Sequence, residues 1–176
     1  MLGFINRSCK SFNNPHALKA LYCSYVRSIL DYNSIVWSPS RVGPIQTIDS
    51  LQNRFLRFLS FNCGIQRQPH SSYQPLLSLS NIETLETRRK RSDLCFIFKL
   101  INGQVYCPEL LSSLSFLVPN RSTRQLNTFY VSFQSTNYAR NSPMNRVMEL
   151  VNIFHVDLFS CTTIDTFNVY LNNLIK

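Results

Sequence analysis

A chain of 176 residues with 44% hydrophobic and 15% charged side chains has enough apolar content for one medium domain or two small ones, which excludes disorder throughout. Its 18 Lys and Arg against 9 Asp and Glu leave a formal charge of +9, and Arg outnumbers Lys by 13 to 5. Guanidinium forks bind phosphate oxygens two at a time, so nucleic acid is the polyanion that best fits this balance, although ancestry alone can also leave a protein basic.

The excess is uneven: residues 1–67 carry net +6, residues 68–146 net +5, and residues 147–176 net −2. A polyanion would therefore meet the first two thirds. No run of about 18 apolar residues exists to span a bilayer, and the start has no signal-peptide pattern, so no membrane partner is expected. The location expected is intracellular, with nucleus and cytoplasm not distinguished.

In chain order, Leu2, Phe4, Ile5 and Cys9 make a first short helical stripe, with Arg7 and Lys10 opposite. Two amphipathic helices are predicted next, over 15–31 and 43–60. Leu18, Leu21, Tyr22, Tyr25, Val26, Ile29 and Leu30 form the stripe of one. Ile45, Ile48, Leu51, Phe55, Phe58 and Leu59 form that of the other. The short link between them makes each the other's partner, a helical hairpin, with Trp37 as the pin that sets its angle. Asn62-Cys63-Gly64 then stops the second helix, and 65–80, with Pro69, His70 and Pro75, reads as a surface connector.

Ser80-Asn81-Ile82-Glu83 has capping-box spacing and predicts a helix running to about Asn102, buried along Ile82, Leu85, Leu94, Ile97, Phe98 and Ile101. Pro108 opens a short helix. Ser115–Val118 and Thr128–Phe133 are β-prone, and the part between them, Asn120 to Arg124, reads equally as a long loop. Ser142-Pro143 starts a helix with its stripe at Met144, Val147, Met148, Val151 and Phe154. Thr162 or Thr163 caps a last one along Ile164, Phe167, Leu171 and Leu174. The expected fold is mainly α: a helical hairpin, then a small helical C-terminal region with at most a minor two-stranded β element. The expected division is a thumb-like segment at 1–64, a linker at 65–80 and a helical region at 81–176.

The six cysteines include no C-x-x-C pair, and His16, His70 and His155 are not spaced with them as zinc ligands. Reduced thiols near the apolar stripes are expected, with a metal site or disulfides as the alternatives. No P-loop, G-x-S-x-G, G-x-G-x-x-G or H-E-x-x-H occurs, and no two acidic residues are adjacent. Neither enzymatic activity nor a cofactor is expected.

Several blocks carry a resemblance. Leu18-Lys19-Ala20-Leu21-Tyr22, Val26-Arg27-Ser28-Ile29-Leu30-Asp31-Tyr32, Val36-Trp37-Ser38-Pro39 and Ile48-Asp49-Ser50-Leu51-Gln52-Asn53-Arg54-Phe55 come first. Leu85-Glu86-Thr87-Arg88-Arg89, Phe98-Lys99-Leu100-Ile101-Asn102-Gly103, Cys107-Pro108-Glu109-Leu110-Leu111, Phe116-Leu117-Val118-Pro119 and Asn141-Ser142-Pro143 follow. In this order they resemble the region after the polymerase palm in reverse transcriptases of non-LTR retrotransposons, the jockey-like, LINE-type elements. The resemblance implies a thumb and C-terminal helical region. It also implies that the paired aspartates that hold magnesium for phosphoryl transfer lie upstream, in the palm. The missing palm would be the natural packing partner. No catalytic residue is carried over.

The candidate nucleic-acid-binding residues are Arg27, Arg54, Arg57 and the run Arg88-Arg89-Lys90-Arg91. Arg54 and Arg57 lie one turn apart on the polar side of the second hairpin helix, where a thumb would grip its duplex. The run spans a full helical turn, so its four cations cannot all face one ligand, and one is free to pair with Glu83, Glu86 or Asp93. Phosphate contact, an import signal and a plain solvated face all fit it. Arg121, Arg124, Arg140 and Arg146 support binding only if folding gathers them. The function expected is a non-catalytic C-terminal fragment of a retrotransposon RNA-directed DNA polymerase that binds RNA or an RNA–DNA duplex weakly. The alternative is a structural remnant or protein-interaction module with no nucleic-acid role.

Overall fold

The computed structural model describes residues 1–66, 68, 71–118 and 127–175, and it is mainly helical. Two compact units divide the chain, Met1–Arg89 and Lys90–Lys176.

In the first unit, α1 (Leu2–Ser8) buries Leu2 and Ile5 and leaves Phe4 exposed. The predicted first hairpin helix is present over its full length. It begins as α2 (Pro15–Tyr22), where the Asn14 side chain accepts from the amides of His16 and Ala17 and Pro15 fills the first position. It continues through a π-helical turn at Cys23–Arg27 into α3 (Ser28–Asp31). The wide turn closes with the Ser28 N–H on the Cys23 carbonyl, and the Ser28 hydroxyl takes the Ser24 carbonyl.

This turn explains which half of the predicted stripe is buried. Four-residue steps drift by about 40° each in an α-helix of 3.6 residues per turn, and one wide turn absorbs much of that drift. Leu18, Tyr22 and Val26 therefore stay on the core side, with Leu30 packed beside them. Tyr25 and Ile29, predicted to be buried, are carried out to solvent.

The link holds the one-turn α4 (Ser34–Trp37), entered through Asn33 at φ 50°. The Trp37 indole N–H donates to the Tyr32 carbonyl at 2.7 Å, so the ring is tied to its own link. Then α5 (Val42–Asn62) returns, and Phe55 stacks on Tyr22 with ring centroids 4.1 Å apart. The burial of α5 belongs to its second half, at Gln52, Phe55, Leu56, Leu59 and Ser60; Ile45, Ile48 and Leu51 are only half-covered.

The expected linker at 65–80 falls within this unit. Its second part is a helix, α6 (Gln74–Ser80), whose Leu76 and Leu77 enter the same core as Tyr22 and Phe55. Two adjacent leucines are too short a signal for periodicity, yet burying both holds the segment against α2 and α5. Ser80 is not the cap of the following helix. It closes α6, with its hydroxyl on the Leu76 carbonyl, and Asn81 at φ 48° ends the helix in the left-handed region. The cap is Thr84, whose hydroxyl accepts from the Thr87 amide as α7 (Leu85–Ile101) begins.

The second unit takes α7 from Lys90 onward. It adds α8 (Pro108–Ser112), α9 (Asn137–Arg140), α10 (Pro143–Phe154) and α11 (Ile164–Leu174). Phe98 stacks on Phe167 with centroids 4.3 Å apart, and Leu94, Ile97, Val147, Val151 and Leu171 complete the core. Thr163 is the cap of α11, accepting from the Thr166 amide. The β-prone stretches meet at one antiparallel bridge, Phe116 with Phe129, held by Leu117 N–H on Thr128 O and Tyr130 N–H on Ser115 O. The Asn120 to Arg124 stretch, like Pro69 and His70, lies outside the described residues.

Candidate nucleic-acid interface

The polar side of α5 follows from its buried side. With Phe55, Leu56 and Leu59 turned inward, Arg54 and Arg57 point outward, three residues and therefore about 5–6 Å apart at Cβ. Neither guanidinium has an ion pair or hydrogen bond among the described residues. Phe61, one turn on, is exposed on the same side.

The end of α5 also gathers a cation that its own sequence does not contain. Asn62 donates from Nδ2 to the Cys9 carbonyl at 3.1 Å and to the Phe12 carbonyl at 3.4 Å, which ties the turn containing the exposed Lys10 to the helix end. Sequence spacing places Lys10 and Arg57 far apart. The signal available was Asn62 itself, a polar residue at a helix end with two amide protons to place.

Arg27 and the basic run are used differently. Asp31 accepts from the Nε of Arg88 at 2.7 Å and sits 3.9 Å from Arg27 one turn earlier, while Glu83 lies 3.5 Å from the other side of Arg88. Both arginines are thereby drawn into one partly covered network. Arg89 is buried, and its Nη1 has no hydrogen-bond acceptor among the described residues; its charge is felt by Asp49, whose carboxyl is pushed above the usual range by burial and drawn partly back by that guanidinium. Lys90 and Arg91 are half-buried at the start of the second unit. Of the seven candidate cations, Arg54 and Arg57 alone are exposed, the others being buried or half-buried.

Folding does not gather the later arginines. Arg146 makes a two-pronged pair with Asp93, at 2.9 Å and 3.2 Å, with the carboxylate only 2% exposed. Arg140 stands 3.8 Å from Glu149. Arg121 and Arg124 lie outside the described residues.

The remaining chemistry is dispersed. Asp157 accepts from the amides of Phe159 and Ser160 in its own loop, and Asp165 sits in the first turn of α11. The thiols line the cores: Cys9 is buried in the first, with Cys23 and Cys63 against it, and Cys95, Cys107 and Cys161 pack on the second. Burial pushes the Cys63 and Cys95 thiols above their ordinary pKa. Among the described residues no three His, Cys, Asp or Glu side chains come together as metal ligands, and no helix is long and apolar enough to cross a membrane. No protein-family model, curated protein or solved structure matches this chain.

Proposed function

We propose that this chain is the region following the palm of a non-LTR retrotransposon reverse transcriptase. It does not polymerise by itself, and it grips RNA or an RNA–DNA duplex weakly through the outer face of α5. The ordered blocks of sequence resemblance support the first part. The second part rests on one observation: Arg54 and Arg57 are exposed one turn apart, free of internal ion pairs among the described residues, on a helix whose opposite side is anchored in a core. A fixed helix presenting two guanidiniums holds them at a set spacing for neighbouring phosphates.

The test is retention of a primer–template duplex and of a structured RNA across a salt series. Phosphate-driven binding weakens steeply as salt rises, and the double substitution Arg54→Ala with Arg57→Ala should lower the slope of log affinity against log salt by about 2. A folded sample that retains neither nucleic acid at low ionic strength ends this proposal.

A second reading has an observation of its own. Tyr25, Ile29, Tyr32, Val36 and Val42 leave an apolar surface exposed around the hairpin link, which favours a protein partner such as the palm. Binding of that kind survives added salt.

A further inference from the structure

In the second unit, Asn152 of α10 engages both the N–H and the C=O of Phe129, in the extended stretch after Asn127, as a neighbouring strand would, and its side-chain oxygen takes the Thr128 amide as well. Its Oδ1 accepts from the amides of Thr128 and Phe129, both at 3.0 Å, and its Nδ2 donates to the Phe129 carbonyl at 2.8 Å. The other edge of the stretch is already taken, since the Thr128 carbonyl accepts from Leu117 N–H and the Tyr130 N–H donates to the Ser115 carbonyl. Peptide groups alternate sides along an extended chain, so the next residue facing the Asn152 side is Val131. Neither its N–H nor its C=O has a partner among the described residues.

Val131 lies in a groove of two adjoining lobes of about 480 Å³ each, both lined by Val131, Arg140 and Glu149. Tyr130 and Ile153 add apolar surface to one lobe and Phe133 to the other. Arg140 is the more exposed of the two charges, 67% against 37%, and at 3.8 Å it is beyond hydrogen-bond reach of Glu149, so its donors are available.

We propose that this groove takes an extended segment of a partner protein as an added β-strand. The segment starts where Asn152 ends and places an acidic side chain on Arg140. The open edge offers a donor and an acceptor together, which another peptide backbone matches; a phosphate, which only accepts, would leave the Val131 carbonyl unmatched. This inference is independent of the α5 proposal, because it uses none of the same residues.

The test is fluorescence anisotropy of the whole chain with a labelled octapeptide of alternating valine and threonine bearing one central glutamate. Two companions are a twin with lysine at that place and a copy N-methylated on alternate peptide nitrogens. The glutamate peptide should bind about fivefold tighter than its lysine twin, a difference of the size of one exposed charge pair. N-methylation should abolish binding, and Val131→Pro, which removes an N–H that nothing in the fold uses, should weaken it at least about tenfold. Arg140→Glu, at a surface position that folding does not depend on, should reverse the glutamate preference. Equal binding of the N-methylated copy, a preference unmoved by Arg140→Glu, or no binding of any peptide at about 1 mM overturns the proposal.

Discussion

Arginine does different work in the two units. In the first, Arg54 and Arg57 stand on α5 without an ion pair among the described residues, although Arg27 and Arg88 are held by Asp31 and Glu83; in the second, Arg146 is locked onto Asp93 and Arg140 stands only loosely by Glu149. Both units have the same kind of centre, a stacked aromatic pair at 4.1 Å or 4.3 Å, so the contrast does not come from how their cores are made. It comes from where the carboxylates lie. Positive charge in a basic protein can be consumed by internal pairs, and only the geometry tells which cations remain for a partner.

The largest effect that would sharpen this contrast is expected at Asp93. Asp93→Ala leaves the largely covered Arg146 guanidinium without its two-pronged acceptor, and should destabilise the second unit by about 3–5 kcal/mol in urea unfolding followed by circular dichroism. A loss below about 1 kcal/mol would mean that the pair is as dispensable as a surface one.

Next comes Tyr22 in the first unit. Its hydroxyl is buried without a hydrogen-bond partner among the described residues, and burial holds the phenol well above its ordinary value of 10.0, against the smaller opposing pull of Arg27. The sign follows from that direction. Below pH 10 both folded and unfolded chains keep the proton and stability is unaffected; above it the unfolded chain ionises first, so stability falls as pH rises. Between pH 8 and 11 the loss from this one group should be about 1.4 kcal/mol, and Tyr22→Phe should remove that part of the slope while costing nothing at neutral pH. Identical alkaline slopes for the two proteins would break the assignment.

Smaller effects test the link and the surface. Trp37→Phe keeps an aromatic ring, though a smaller one, and loses the indole N–H bond to the Tyr32 carbonyl, a change of about 1 kcal/mol in the thermal midpoint analysis of the first unit. Arg140→Ala, on an exposed and loosely spaced pair, should change stability by less than about 1 kcal/mol, in deliberate contrast to Asp93→Ala.

What could be read in advance was local. Ser142 before Pro143, and Thr162 or Thr163 before Ile164, each state a helix start within a few residues, and both helices begin there. Ser80 misled because a serine hydroxyl serves equally well at the end of a helix, turned back on the carbonyl four residues earlier, as at the beginning of the next. The π-turn left no periodic trace, so Tyr25 and Ile29 looked inward on an ideal helix. At the candidate interface, the exposure of Arg54 and Arg57 followed from the apolar pattern of α5. The fate of Arg88 did not, because its main partner, Asp31, lies 57 residues away in sequence.

The wide turn at Cys23–Arg27 has a consequence for how this helix tolerates change. It holds one residue more than an α-helical path of the same span requires. Loss of a single codon there would shorten the turn to ordinary geometry and leave the segments on either side facing as they do now, whereas the same deletion anywhere else in Pro15–Asp31 would swing everything beyond it by about 100°. The helix thus carries its own slack, at one address.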